Sequence, residues 1–279
     1  MLDMNNPLGV MQGRLLPKYQ GRYQAHPVGY WQEEFPLAAE LGLDCIEFIL
    51  DFNESEQNPL LHAAGRQQIR ELGKTTGVSV LSVCADYFME APLHAVQPEK
   101  ATISLATLQR LLEAAADLEI KDVVIPCVDH SSIRNEIARK NFQDRITEVL
   151  PKAESLSVNL SLETDLNPLE FAELLSQLDS PCVTVNYDIG NSASLGYDAK
   201  EELSTYGSRI SDIHIKDRVL GEGSVRLGTG HADVPGFFEL LTDFEYKGPF
   251  IMQAYRDDEG RSIFQSQLEW VRPLIEAKL

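Results

Sequence analysis

No C-x-x-C pair occurs anywhere in the chain, and its four cysteines, Cys45, Cys84, Cys127 and Cys182, lie far apart, each in or beside an apolar run. That spacing argues against a disulfide framework or a thiolate zinc site and for reduced thiols buried as small hydrophobes. Positive charge is equally scarce. Lys and Arg number 24 against 43 Asp and Glu, a formal charge of 24 − 43 = −19, which disfavours a broad basic surface for nucleic acid or anionic lipid. A local positive pocket stays open. Also missing are an apolar run of membrane-spanning length and, in the first thirty residues, an apolar segment of the secretory type. The expectation is a soluble cytoplasmic protein. Finally, the first strand candidate runs into "MQGRLLP" rather than G-x-G-x-x-G, which counts against an open dinucleotide-binding sheet.

What the chain does have is alternation. Short apolar runs, "LGVMQG" from residue 8, "CIEFIL" from 45, "VSVLSVCAD" from 78, "DVVIPCV" from 122, "NLSLET" from 159, "VTVNYDI" from 183, "ISDIHIKD" from 210 and "FIMQAY" from 250, read as strands. Between them lie longer stretches, among them "WQEEFPLAAELG", "EKATISLATLQRLLEAAADLE", "NFQDRITEVLPKAESL", "PLEFAELLSQL" and "PGFFELLTDF", with apolar residues recurring at three and four. A shorter helix is expected around "KEELSTYG". Eight strand–helix units in a chain of this length have the rhythm of an α/β (β/α)₈ TIM barrel. No low-complexity linker interrupts them, so residues 1–279 are expected to form one domain.

A barrel should carry its reactive side chains at the C-terminal ends of its strands and in the loops that follow. Those ends are polar here: Gln12 and Arg14, Glu47, Asp86, Asp129 with His130, Glu163 with Asp165, Asp188 with Asn191, His214 with Lys216 and Asp217, and Gln253 with Arg256. Any one of these acids, alone, reads most simply as a loop or helix cap. Glu163, Asp188 and His214, however, close three successive strands, which a barrel sets side by side on one rim. Two carboxylates and an imidazole suit one divalent metal ion, Mn²⁺, Mg²⁺, Co²⁺ or Zn²⁺.

The segments "SLETD", "NYDIGN", "DIHIKDR" and "RLGTGHADVPGFFELL…YKGPFIMQ" resemble the sugar-phosphate isomerase and epimerase family of xylose isomerase-like TIM barrels, which includes pentulose 5-phosphate 3-epimerases and, distantly, endonuclease IV. The resemblance spans nearly the whole chain. It implies that Glu163, Asp188 and His214 are the metal ligands, and that the fourth ligand position, a glutamate in the epimerases, is Gln253. An amide oxygen can bind a metal but cannot act as a general base. The two-glutamate epimerisation of the family therefore loses one partner.

One-base chemistry survives that change. The leading expectation is a metal-dependent isomerase of a sugar or sugar phosphate, with Glu163 shuttling a proton through an enediolate, Lys216 neutralising the oxyanion and His130 contacting a hydroxyl or moving protons. Alternatives are a 3-epimerase with Glu47, Asp86 or Asp129 as replacement acid, a dehydratase, and a non-catalytic sugar-binding barrel. Substrate contacts are expected from Glu47, Asp86 and Asn191. The loop "RVLGEGSVRLGTGHADVPG" has five glycines, and with Arg14, Arg226 and Arg256 it forms a candidate phosphate site. The aromatics Tyr19, Tyr23, Tyr30 and Trp31 either cover the sugar or make a homo-oligomer contact, the latter favoured for Trp31. A nuclease is disfavoured by the charge and by the poverty in histidine, His231 being the one further ligand candidate.

Overall fold

The computed structural model describes residues 6–258 and 261–276. Eight parallel strands close into a barrel: β1 (Leu8–Met11), β2 (Cys45–Ile49), β3 (Ser79–Cys84), β4 (Asp122–Cys127), β5 (Asn159–Thr164), β6 (Val183–Asp188), β7 (Ile210–Ile215) and β8 (Phe250–Met252). They pair in sequence order, and β1 meets β8 through Leu8↔Phe250, Gly9↔Ile251 and Val10↔Met252. A parallel strand covered by helices on one face and packed against the barrel interior on the other is apolar along its length. This is why β4, Asp122 to Cys127, is buried at every position.

Helices Glu34–Glu40, Ala63–Thr76, Pro98–Asp117, Glu136–Leu156, Pro168–Gln177, Ala199–Tyr206, Val234–Leu241 and Arg261–Glu276 follow the successive strands. Proline opens the third and fifth of these at its first position, where the absent N–H costs no bond, and Asn167 caps the fifth by accepting from the Glu170 N–H. The main core lies between strands and helices. A smaller cluster of Met11, Cys45, Ile49, Cys84, Val124 and Ile251 fills the barrel itself. All four cysteines are free, and Cys182 is only half-buried, unlike the other three. No helix among the described residues is long and apolar enough to cross a membrane.

Two local devices set up the rim. The β6–β7 register slips between Val185 and Asn186, which brings Asp188 directly opposite His214; a similar slip precedes Glu47 on β2. Such bulges re-aim a side chain without breaking the sheet. The second device ties down the segment after β1. Glu34, fully buried at the start of the first helix, accepts from the Gly13 N–H at 2.8 Å and the Leu15 N–H at 3.0 Å. Gly13 has φ of +90°, and a Cβ there would stand 2.2 Å from the Tyr23 carbonyl oxygen. Only glycine fits that approach.

The aromatics of this segment part company. Trp31 is buried against Phe35 and Phe48, with ring centroids at 6.1 and 5.5 Å, so it is a core residue and not the subunit contact expected of it. Its position at the start of a short helical turn does aim it outward in sequence. Phe48 and Phe35 nevertheless offer an apolar socket that outweighs that position.

Candidate active site

Asp188 ends β6 and is also the N-cap of a short helix, Ile189–Leu195, its Oδ1 accepting from the Asn191 N–H at 2.8 Å. A helix therefore starts directly from the end of the strand, through Gly190 and Asn191. Gly190 is needed within it, because a Cβ would sit 2.8 Å from Lys216 Cγ. The cap turns the Asn191 amide inward. Its Nδ2 donates to Glu163 Oε1 at 2.5 Å, and its Oδ1 accepts from Lys216 Nζ at 3.2 Å and Arg218 Nη1 at 2.7 Å. Lys216 Nζ also reaches Asp188 Oδ2 at 3.2 Å. The Lys216 partner is thus Asp188, not the adjacent Asp217, which is buried and instead accepts the Gly230 and Ala232 N–H groups.

Glu163, Asp188 and His214 are all buried and offer donor atoms within 4.8 Å of one another. The imidazole is oriented from below: Nε2 lies 2.8 Å from Glu47 Oε1 and 3.6 Å from Asp212 Oδ1. With Nε2 facing two carboxylates, its hydrogen stays on that side and Nδ1 is the nitrogen left to a ligand. Among the described residues the Nδ1 atom has no hydrogen-bond partner, and neither has Gln253 Oε1, although both are buried. Two orphaned donors in company with two carboxylates are the set that a divalent cation satisfies. The residues present fit such an ion.

Electrostatics follow burial. Desolvation, with Asp188 as the next cause, pushes Glu163 up to about 7. For His214 burial acts downward, but Glu47 and Asp212 outweigh it and raise the imidazole to about 10. Desolvation also raises Asp86.

Above these groups opens a cavity of about 500 Å³, lined by Glu163, Asn191, Lys216, Gln253, Asp86 and His130 among the expected residues. His130 stands at the mouth, exposed, with Nε2 3.4 Å from Glu90. Asp129 beside it holds φ at +51°, a left-handed strain of the kind often stored at binding sites. Gln253 Nε2 donates to Gln24 Oε1 at 3.0 Å, and Gln24 Nε2 donates to Asp86 Oδ2 at 3.1 Å. An amide relay therefore joins the eighth strand to the third.

Four expected substrate contacts are not in this lining. Glu47 is fully buried beneath the rim, holding His214 and accepting from Ser82 Oγ at 2.5 Å. The bulge before it turns it under the site rather than into it. Arg14 donates to Gln24, Arg256 donates to the Arg14 carbonyl and lies 4.4 Å over the Tyr23 ring, and Arg226 is exposed on the glycine-rich loop. Desolvation lowers Arg14 to about 10. Arg22, Gln24, Asp51 and Phe52 line the cavity without having been singled out in the sequence. All four lie in the loops after β1 and β2, where no periodicity fixes direction. Tyr19, Tyr23 and Tyr30 are absent from the lining; its aromatic is Phe52.

The family described as "Xylose isomerase-like TIM barrel" matches residues 35–274. SgbU of Escherichia coli (strain K12), which carries the provisional name L-ribulose-5-phosphate 3-epimerase, is 25% identical over 265 residues, covering 89% of this chain and 91% of its own. Among solved structures, the E. coli 3-keto-D-glucoside 4-epimerase YcjR superposes with a TM-score of 0.75 at 19% identity, over 96% of this chain and 100% of its own. The IOLI protein with a bound zinc atom gives 0.77 at 16% identity, over 98% and 99%. At these identities the two structures speak for the fold.

Proposed function

The chain belongs to the xylose isomerase-like TIM-barrel family, and on that footing we propose that it is a divalent-metal-dependent isomerase of a sugar or sugar phosphate, with Glu163 as the proton-transfer base. One observation carries the reading: the convergence of Glu163, Asp188 and His214 within 4.8 Å, with Gln253, whose oxygen is unpartnered, lining the same cavity as Glu163. Held by these four residues, Mn²⁺, Mg²⁺, Co²⁺ or Zn²⁺ would supply Lewis-acid polarisation of a carbonyl and its neighbouring hydroxyl. Glu163 takes the acidified proton from one carbon and returns it to the next on the same face. Lys216 neutralises the enediolate that forms, and Asn191 holds the Glu163 carboxylate in position through Nδ2. His130 contacts a hydroxyl at the mouth.

A second reading, 3-epimerisation, is favoured by one specific observation. Gln253 cannot be the second base, but Asp86 lines the same cavity and is linked to Gln253 through Gln24. On this reading Asp86 is the replacement acid, and Glu47, buried below the rim, is not.

The deciding experiment is incubation of the metal-loaded protein with ketoses, aldoses and their phosphates in deuterium oxide. Label at carbon with a shifted carbonyl marks the isomerase; label with inversion at C3 and an unmoved carbonyl marks the epimerase. Finding neither a shifted carbonyl nor inversion at C3 in any substrate removes both. Elemental analysis should find about one divalent ion per chain, lost in Asp188→Ala; an unchanged content in the variant would remove Asp188 as a ligand.

Metal binding should also release protons. The ion must displace the proton of His214 and that fraction of Glu163 still protonated, so affinity rises with pH through about 7 and at pH 7 more than one proton leaves. Calorimetric titration with Mn²⁺ in two buffers of different ionisation enthalpy measures the number directly. Zero release would contradict this ligand set.

A further inference from the structure

The geometry points to a non-phosphorylated sugar as the substrate, with Phe52 as the platform for its apolar face. This rests on the sugar-proton-transfer reading above and narrows it. A phosphate dianion needs uncommitted cations or converging backbone N–H groups, usually from glycine-bearing loops after the last two strands of a barrel. Among the described residues the cavity supplies neither: no glycine lines it, and after β7 and β8 only Lys216, Arg218 and Gln253 reach it.

Its arginines, Arg22 and Arg218, are already engaged, and Lys216 serves the reacting oxygens rather than a distant phosphate. Arg22 Nη1 is 2.9 Å from Asp51 Oδ1, and Asp51 is fixed in turn by the His26 N–H at 2.7 Å. Lys216 bonds Asp188 and Asn191. Arg218 donates from Nη1 to Asn191 Oδ1 and from Nε to the Glu222 carbonyl at 2.9 Å. The glycine-rich loop turns its N–H groups elsewhere: those of Gly230 and Ala232 are taken by Asp217.

The mouth is acidic, with Glu90 and Asp129 flanking His130. A dianion entering there would meet repulsion, whereas hydroxyls would find acceptors. Phe52 completes the fit. It is 43% exposed, an unusual state for a large apolar ring, and it lines the cavity 5.2 Å from Tyr87. A ring with one free face beside a dense set of acceptors matches a sugar, whose C–H face is apolar and whose edge is polar.

The test is calorimetric binding to the Mn²⁺-loaded protein of D-fructose and L-ribulose, each beside its terminal phosphate ester, with inorganic phosphate as competitor, and the deuterium-exchange assay run in parallel. The free sugars should bind at least tenfold more tightly than their esters, millimolar phosphate should not compete, and Phe52→Ala, by removing the buried apolar contact, should weaken the free sugars about tenfold. In Glu90→Gln/Asp129→Asn the ratio should move toward the esters. Tenfold tighter binding of an ester, or competition by phosphate, overturns the inference whether or not turnover occurs. Binding of a free sugar with no carbonyl shift, inversion or deuterium uptake supports it while overturning the proton-transfer function. Binding of neither kind overturns both.

Discussion

Replacing Glu163 by glutamine should lower kcat by at least about 10³-fold, the upper part of the range for losing a general base, while leaving the fold intact. The substitution is close to isosteric. The new amide oxygen can still accept from Asn191 Nδ2, which now bonds the carboxylate at 2.5 Å, so the rim keeps its shape. What disappears is the ability to carry a proton between carbons. Stability gives an independent check with a definite sign. Glu163 titrates at about 7 when folded and near ~4.3 when unfolded. The metal-free native protein therefore binds the extra proton between these values, and stability drawn from this group falls as pH rises through that window. In Glu163→Gln that part of the slope should vanish. Denaturant titrations of the two metal-free proteins from pH 5 to 8 measure it, and turnover within tenfold of the parent would remove Glu163 as the base.

The second large effect is expected at a residue with no access to the cavity. Glu47→Ala strips a buried imidazole of its main partner and leaves the Ser82 hydroxyl unpaired, a loss of the kind that costs about 3–5 kcal/mol. Urea midpoints at pH 7 would report it. The milder Glu47→Gln isolates the functional part. An amide can present either its oxygen or its NH₂ to Nε2, so the hydrogen on His214 is no longer fixed and Nδ1 is no longer reserved for an ion. Mn²⁺ affinity should fall about 10–100-fold, with unchanged binding of sugar once metal is saturating. A direct loss of sugar affinity at saturating metal would put Glu47 in contact with substrate after all.

The barrel could be read from the chain because each buried strand leaves a continuous apolar run bounded by helical periodicity, and eight such runs suit few architectures. Glu163, Asp188 and His214 were legible for a related reason: strand ends have a fixed place on a barrel. Direction was not legible. Glu47 was grouped with the strand ends, yet it is the middle residue of β2, Cys45–Ile49, and lies beneath the rim after the slip at Ile46. The arginines failed similarly. Nothing in the spacing of Arg14 and Arg256 says that they bond Gln24 and a backbone carbonyl, or that Arg22, in an aperiodic loop, faces the cavity. Loop side chains take their aim from contacts made across the molecule, such as Arg22 with Asp51, which are 29 residues apart.

The clamp of Glu34 on Gly13 and Leu15 has a counterpart at the other end of the same loop. His26 is gripped by Gln12 through its ring, at 3.1 Å, and by Asp51 through its backbone. Between these two moorings, residues 16–25 run over the rim and send only Arg22 and Gln24 down into the cavity. The span behaves as an exchangeable cassette. Its interior can be lengthened, shortened or rewritten while both ends stay moored to the barrel, and Glu163, Asp188 and His214, carried on β5, β6 and β7, need not register the change, whereas Gln253, bonded to Gln24, would. The loop that shapes one wall of the cavity and the strands that carry the carboxylate–imidazole cluster are thus different parts of the chain, so one can change with little effect on the other.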